Sequence, residues 1–176
     1  MTRSDTLIEV RDLAVEFVNG DSRQRVVEGV NFTIHRGETL ALVGESGSGK
    51  SVTAHSILRL LPYPLAQHPS GSIHYAGQDL LKLSENKLRN IRGNRIAMVF
   101  QEPMTSLNPL HSIEKQINEV LALHKGLTGK AATARTLELL GLVGIPEPHK
   151  RLKAYPHELS GGQRQRVMIA MALANE

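Results

Sequence analysis

The chain opens with apolar positions at a spacing typical of strands. From Leu7 to Phe17, apolar and polar residues alternate loosely, as they do in a half-buried strand. A turn sequence, Asn-Gly-Asp-Ser, occupies residues 19 to 22, and the apolar positions between 26 and 34 predict a second pair of strands. We therefore expect a β-rich beginning that is built from hairpins.

Two continuous apolar runs predict buried strands further along the chain. Residues 39 to 43 read TLALV between two glycines, and residues 95 to 100 read RIAMVF. A helix is predicted from Val52 to Leu61, where Pro62 ends it, and a modest helix from Ser84 to Ile91. Between those helices, residues 72 to 75 predict a short strand that the turn at 76 to 78 closes.

The pattern changes to helical spacing after residue 104. Apolar residues recur every three or four positions around Ile117 and again around Leu137, and Gly126 and Gly129 separate the two stretches. The positions that define these stripes are Ile113, Ile117, Val120 and Leu121, then Ala131, Ala134, Leu137 and Leu140. Residues 104 to 158 are therefore predicted to form an α-helical subdomain.

Composition narrows the class of protein. The chain has 176 residues, of which 40% are hydrophobic and none is cysteine, so disulfide frameworks and zinc–thiolate sites are excluded. No apolar run reaches the roughly 18 residues that span a bilayer, and the N-terminus lacks a signal-peptide pattern. A net charge of +4 permits an anionic partner. Nucleic-acid binding usually needs aromatic side chains for stacking, and only 3% of residues are aromatic, so we expect no direct nucleic-acid binding. We interpret the basic group around Arg92 as a solvated face.

Residues 44 to 51, GESGSGKS, have the spacing of a phosphate-binding loop. Glycine lacks a β-carbon, so the backbone can curl and direct its N–H groups at phosphate oxygens, next to the positive end of the following helix. Lys50 would reach the β- and γ-phosphates, and the Ser51 hydroxyl would bind Mg²⁺. A plain turn between a strand and a helix is the alternative. The candidate ATP-binding residues of the loop are Gly44, Glu45, Ser46, Gly47, Ser48, Gly49, Lys50 and Ser51.

A second anion site is predicted at residues 159 to 163, which read LSGGQ. Ser160 is a natural N-cap, and two glycines leave backbone N–H groups open at the start of a helix. Taken alone, this stretch is equally well explained as an ordinary helix start that contains glycine. The residues of the motif are Leu159, Ser160, Gly161, Gly162 and Gln163.

Together these motifs resemble those of the ATP-binding subunits of ABC transporters. GESGSGKS is similar to the Walker A loop of that family, LSGGQ to its signature, and Gln101 after RIAMVF to its Q-loop glutamine. Three longer stretches resemble the branch that powers peptide importers of the oligopeptide, dipeptide and microcin types. They are LALVGESGSGKSVTAHSILRLLP, IAMVFQEPMTSLNPL and YPHELSGGQRQRVMIAMAL.

The resemblance implies a fold, ligands and partners. The implied fold class is α/β, a P-loop NTPase core with an N-terminal antiparallel β-subdomain and an inserted α-helical subdomain. Residues 1–103 would form the β-subdomain and the P-loop core, residues 104–158 the α-helical subdomain, and residues 159–176 the signature motif and the helix after it. The ligands would be ATP and Mg²⁺, with Ser51 and Gln101 on the metal and Phe17 stacked on adenine, core packing being the alternative for Phe17. The signature would act in trans in a head-to-tail dimer with a second ABC ATPase subunit or cassette. Residues 102 to 110 would line a groove for an integral membrane permease subunit, at the cytoplasmic face of the cell membrane.

The resemblance also implies elements that do not occur here. The Walker B strand, the catalytic glutamate and the switch histidine of the family lie beyond the signature, and this chain ends at Glu176. Glu176 follows a predicted helix rather than a strand, so we assign it no catalytic role, and His157 is interpreted as structural. We therefore expect an N-terminal fragment with an incomplete core, some exposed apolar surface and little ATP hydrolysis of its own. A non-transport ABC ATPase of translation or DNA repair, or an inert interaction fragment, remains the alternative.

Overall fold

The computed structural model describes residues 5–102 and 106–176. The chain forms two compact units, residues 1–88 and residues 89–176. The domain boundaries that the sequence suggested remain a prediction.

The first unit is built on an antiparallel sheet. Its long strand β1, Thr6–Asn19, pairs with β2, Ser22–His35, through the predicted tight turn at Gly20. On its other edge β1 pairs with the short strands β3 and β4, and β4 in turn pairs with β5. The sheet order is therefore β2-β1-β4-β5, with β3 also paired to β1. The short strands are β3, Ala66–Gln67; β4, Ser72–Tyr75; and β5, Gln78–Asp79.

The predicted second strand pair is wrong, because residues 22 to 35 form one continuous strand. β2 remains a single strand because β1 is long enough to pair with it almost from end to end, through several register irregularities. The strand at 72 to 75 and its turn are confirmed, with positive φ at both Ala76 and Gly77 as a tight hairpin requires. The core of this unit includes Leu13, Val15 and Ile73, none of which is exposed.

The helix after the glycine-rich loop is shorter than the sequence predicted. Helix α1 spans Lys50–Ile57 instead of reaching Leu61. It ends early because Arg59 adopts a left-handed conformation with φ of 49°, and the Leu60 N–H then turns back to the His55 carbonyl. This is a standard way to satisfy the last carbonyls of a helix. A 3₁₀ turn at Leu80–Lys82 and helix α2, Glu85–Arg89, follow the sheet.

The two apolar runs predicted as buried strands form no strand in the described part of the chain. Leu40, Leu42 and Val43 are 41, 44 and 86% exposed, and Val99 and Phe100 are 43 and 42% exposed. Within residues 95 to 100 the one ladder contact is an isolated bridge between Arg92 and Ile96. A strand needs a neighbouring strand along its length, and the described residues form no ladder with these segments beyond that bridge. The two apolar runs therefore lie outside the sheet β2-β1-β4-β5 and remain partly exposed.

The second unit is helical, and two interhelical glycine turns divide it as predicted. Helix α3 spans Ile113–Lys125 and ends at Gly126, and helix α4 spans Gly129–Leu142 and is followed by Gly144. Its other helices are the short α5, Pro148–Arg151, a 3₁₀ turn at Pro156–Glu158, and α6, Gly161–Leu173. The fully buried side chains that α3, α4 and α6 contribute to its core include Ile113, Ile117, Leu121, Leu139, Leu140 and Val167.

The predicted buried face of α4 is right at Leu140 and wrong at Ala131 and Ala134. Its buried residues are Ala132, Thr136, Leu139 and Leu140, whereas Ala131 and Ala134 are exposed. The helix tolerates a polar residue in the core because the Thr136 hydroxyl donates to Asn118 Oδ1 at 2.6 Å. A stripe drawn from apolar residues alone could not include this threonine, so the first half of the predicted face was misplaced.

Candidate functional site

The glycine-rich loop is shaped by the chain itself. Gly47 and Gly49 have φ angles of 83° and 87°, which side-chain-bearing residues rarely adopt. β2 also bulges at Val26, because Val27 faces Val15 while Arg25 already faces Glu16. A β-carbon at Gly49 would lie 2.8 Å from Val27 Cγ2 and 2.9 Å from the Val26 carbonyl oxygen. The bulge thus requires glycine at the position where α1 begins.

The Lys50 ammonium lies across the mouth of this loop. Its Nζ donates to the carbonyl oxygens of Gly44 and Glu45 at 2.8 and 2.6 Å, and to Ser48 Oγ at 3.2 Å. The loop residues from Gly44 to Ser48 are exposed, and so is Ser51 in the first turn of α1. A positive charge, an exposed curled backbone and the N-terminus of a helix are therefore concentrated in eight consecutive residues, which suits a phosphate group.

Phe17 lies on the face of β1 that is nearest to the loop. It is half-buried and opposes Gln24 on β2 and Ala66 on β3. Residues 15 and 17 of a strand share a face, and Val15 opposes Val27, the residue that contacts Gly49. Phe17 is therefore about 7 Å along the strand from the point where β2 meets the loop.

Gln101 and the residues after it belong to the second unit. Gln101 is exposed, and it follows the extended segment that was predicted as a strand. Pro103, which the sequence analysis placed in the groove for a membrane subunit, lies outside the described residues. Of the remaining groove residues, Leu107 is buried in the helical core and Leu110 is 81% exposed.

The LSGGQ stretch forms a capped helix start, as its N-cap predicted. The Ser160 hydroxyl accepts from the Gln163 N–H at 3.3 Å, and Gln163 Oε1 accepts from the Ser160 N–H at 3.0 Å. Leu159 is 3% exposed and anchors the motif in the core. The spacing of a serine and a glutamine three residues later could have predicted this reciprocal pair, which the sequence analysis missed.

At both signature glycines, the place where a β-carbon would lie is open space. Neither Gly161 nor Gly162 has a positive φ, and a β-carbon on either would meet none of the described atoms within 4 Å. Their N–H groups lie in the first turn of α6, where a helix offers no internal acceptor. Nothing in the described fold requires glycine here, whereas a closely approaching anion would.

Two arginines, which the sequence analysis also missed, hold α6 in place behind the motif. Arg164 Nε donates to the Pro156 carbonyl at 2.7 Å. Arg166 donates to the carbonyls of Val143 and Gly144 at 3.3 and 2.7 Å, near the C-terminal end of α4 where a cation is favoured. No spacing rule links these arginines to their carbonyl partners, so only the fold reveals them.

The sequence comparison identifies the family of the chain. A profile described as "ABC transporter" matches residues 27–176. The chain belongs to the ABC transporter family. It is 66% identical over 174 residues to the peptidoglycan transport ATP-binding protein YejF of Agrobacterium fabrum, covering 99% of this chain and 32% of that protein. It is 53% identical over 174 residues to the oligopeptide transport ATP-binding protein OppD of Bacillus subtilis, covering 99% and 49%.

Solved structures confirm the fold class. The dimeric structure of a post-hydrolysis state of an ATP-binding cassette bound to ADP and Pi matches with a TM-score of 0.83 at 29% identity, over 96% of this chain and 70% of that one. The resemblance to the peptide-importer branch is likewise confirmed, since relatives named for peptide and oligopeptide transport match nearly the whole chain. The chain spans about a third to a half of the length of these curated relatives.

The donor groups in the described chain suit a nucleotide with Mg²⁺. The loop offers backbone N–H groups and Lys50 to phosphate, while Ser51 offers a hydroxyl oxygen, the kind of donor that Mg²⁺ prefers. The assignment of Gln101 to the metal remains a prediction. Among the described residues no group of three or more His, Cys, Asp or Glu side chains could hold a metal by itself. None of the described helices is long and apolar enough to cross a bilayer.

Proposed function

We propose that this chain is the nucleotide-binding portion of an ATP-binding subunit of an ABC importer. The observation that carries the proposal is the loop at 44–51, where a bulged β2 imposes the curl, the Lys50 ammonium spans the mouth and α1 supplies its positive end. In this role Lys50 would exchange its carbonyl partners for the β- and γ-phosphates of ATP. Ser51 and Gln101 would bind Mg²⁺, which would neutralise phosphate charge when bound.

Phe17 is proposed as the residue that stacks on adenine. Its position on the loop-facing side of β1, about 7 Å along the strand from the Gly49 contact, leaves room for the ribose and the α-phosphate between ring and loop. Half-burial of the ring leaves part of its surface open for stacking. Stacking predicts that Phe17→Ala weakens ATP binding between about fivefold and about 150-fold, while Phe17→Trp retains it.

The signature is proposed to bind the γ-phosphate held by a second subunit or cassette. The open space around Gly161 and Gly162 supports this role, since an anion from outside could approach both N–H groups. Ser160 would contribute through the cap that orders the first turn of α6. The active form would then be a head-to-tail dimer that encloses two ATP molecules.

The whole protein is proposed to act at the cytoplasmic face of the cell membrane, where integral permease subunits receive the energy of ATP binding and hydrolysis. The solute would be a peptide or a peptide-bearing molecule, as the names of the peptidoglycan and oligopeptide transport relatives suggest. We also propose that residues 1 to 176 by themselves turn over little ATP, because no residue of this segment is assigned as the base that orients the attacking water. The exposed runs at 40–43 and 99–100 support a core that needs further strands.

The experiment that tests this proposal is a calorimetric titration with a non-hydrolysable ATP analogue, with and without Mg²⁺. We expect Mg²⁺-dependent binding, weakened at least about tenfold by Lys50→Ala because a charged hydrogen-bond partner is lost. Lys130→Ala, which removes an exposed lysine of α4, is the matched control and should bind as the parent chain does. Binding that ignores Mg²⁺ and Lys50 would contradict the proposal. If the protein co-purified with ribosomes or DNA instead of a membrane subunit, a role in translation or DNA repair would be favoured over transport.

A further inference from the structure

The hairpin of β1 and β2 places a glutamine directly opposite Phe17. Phe17 faces Gln24 within a run of regular pairs that ends with Asn19 and Ser22 at the turn. Directly opposed residues of an antiparallel pair lie on the same face of the sheet, with their β-carbons about 5 Å apart. Gln24 therefore lies beside Phe17, and its side chain is exposed.

The bulge at Val26 determines which face of β2 carries Gln24. Side chains alternate along a regular strand, so residues 24 and 27 of an unbulged β2 would lie on opposite faces. The extra residue at the bulge shifts this alternation, and Gln24 and Val27 both lie on the Phe17 face. Val27 is also the residue that a β-carbon at Gly49 would contact. Gln24 thus shares the face of the sheet that meets the phosphate-binding loop.

Ion pairs on the opposite face stabilise this arrangement. Arg23 and Arg25, the neighbours of Gln24 in the chain, pair with the Glu16 carboxylate at 2.9 and 3.9 Å. Glu16 is only 6% exposed. A slip of the hairpin by one residue would turn Gln24 away from Phe17, and it would leave a buried carboxylate without its partners. The charges of the hairpin therefore hold the register that presents Gln24 beside the ring.

A carboxamide at this position suits the edge of an adenine base. A base stacked on Phe17 would have its edge within reach of the Gln24 side chain, because the two β-carbons are about 5 Å apart. Adenine offers the N6 amino donor beside the N7 acceptor, and a glutamine carboxamide pairs with both at once. Guanine offers two acceptors at that edge, O6 and N7, so the carboxamide oxygen would meet another acceptor. Stacking alone does not distinguish bases, whereas this pair of hydrogen bonds does.

We propose that Gln24 is a specificity-determining residue, which selects adenine nucleotides by pairing with N6 and N7 of the base stacked on Phe17. This inference rests on the proposed function, which supplies ATP and the stacking role of Phe17. It adds a contact that reads the base. Phe17 gives affinity for any base, and Gln24 gives the preference for adenine.

Competition binding on the protein as its gene encodes it tests this inference. The β,γ-imido triphosphates of adenosine and guanosine, which resist hydrolysis, each displace a fluorescent ATP analogue in the presence of Mg²⁺. Gln24→Ala should weaken binding of the adenosine compound and lower the preference for it over the guanosine compound about fivefold or more, because the bidentate pair is lost. Phe17→Ala should weaken both compounds by similar factors, because every base has a π-face.

Gln67→Ala is the matched control. Gln67 is an exposed glutamine of β3 that opposes Glu16, so it lies on the other face of the same sheet, and its removal should leave both affinities unchanged. Gln24→Leu, which retains most of the side-chain volume, should lower the preference as Gln24→Ala does. An unchanged preference in either Gln24 variant, or an equal change in Gln67→Ala, would overturn the inference.

The dependence of binding on Lys50 separates this inference from the proposed function. If Lys50→Ala weakens binding of the adenosine compound while the Gln24 variants keep the parent preference, the reading of the base by Gln24 is wrong and the proposed function stands. If Lys50→Ala leaves binding unchanged, the proposed function fails, and the inference that rests on it fails as well.

Discussion

Gly49 and Gly162 both lie at the start of a helix in a candidate phosphate site, yet the chain constrains them in opposite ways. Gly49 has a φ of 87°, and a β-carbon there would collide with Val26 and Val27. Gly162 has an ordinary helical backbone and open space around it. The fold of this chain therefore explains the first glycine even without a ligand. The second glycine needs an explanation from outside the described chain.

Of the substitutions that distinguish the two sites, Gly49→Ala should have the largest effect on the free energy of unfolding. Gly49→Ala should lower the free energy of unfolding by about 2–5 kcal/mol, because backbone strain adds to the contact with the β2 bulge. Urea denaturation followed by circular dichroism measures it. Gly47→Ala is the matched control, because it has a similar φ of 83° but open space at its β-carbon, and it should cost only the strain. Equal losses in the two variants would show that the bulge contributes nothing.

The sequence predicted those features of the two sites that depend on neighbouring residues, and missed those that depend on residues distant in the chain. The spacing of Gly49, Lys50 and Ser51 was sufficient to locate the loop, because that pattern is local in the chain. The contact of Gly49 with Val26 depends on a bulge in a strand more than twenty residues earlier, and periodicity does not reveal bulges. The sequence therefore predicted where phosphate would bind but not what shapes the loop.

The two apolar runs show the same limit at the level of the fold. Their hydrophobicity predicted buried strands, but the segments form no strand and Val43 is 86% exposed, because no described strand pairs with it. A hydrophobic pattern predicts that a segment is suited to burial, but it does not show whether a neighbouring strand is there to bury it. The helical unit was predicted better, since α3 and α4 depend on contacts close in sequence and on glycine turns.

A smaller effect is expected at the cap of the signature helix. Ser160→Ala should lower the free energy of unfolding by about 1 kcal/mol, since the Gln163 N–H loses its acceptor. Ser160→Asp keeps an acceptor at the N-cap and should remain within a few tenths of a kcal/mol of the parent chain. Urea denaturation of the two variants checks this, and a loss of the same size in both would mean that the cap is not what stabilises this helix start.

The smallest effect on stability, and the one that decides the comparison, is expected at Gly162. Alanine has a higher helix propensity than glycine, and its β-carbon meets none of the described atoms within 4 Å, so Gly162→Ala should leave the free energy of unfolding unchanged or raise it by up to about 1 kcal/mol. The same substitution should abolish the ATP-dependent association of the full-length protein, measured by analytical ultracentrifugation, because the β-carbon occupies the space that a phosphate from the other subunit would enter. Gly141→Ala, another helical glycine with open space around it, is the matched control and should alter neither property. A Gly162→Ala variant that is destabilised by more than 1 kcal/mol would mean that the fold, and not an external anion, requires this glycine. The contrast with Gly49 would then disappear.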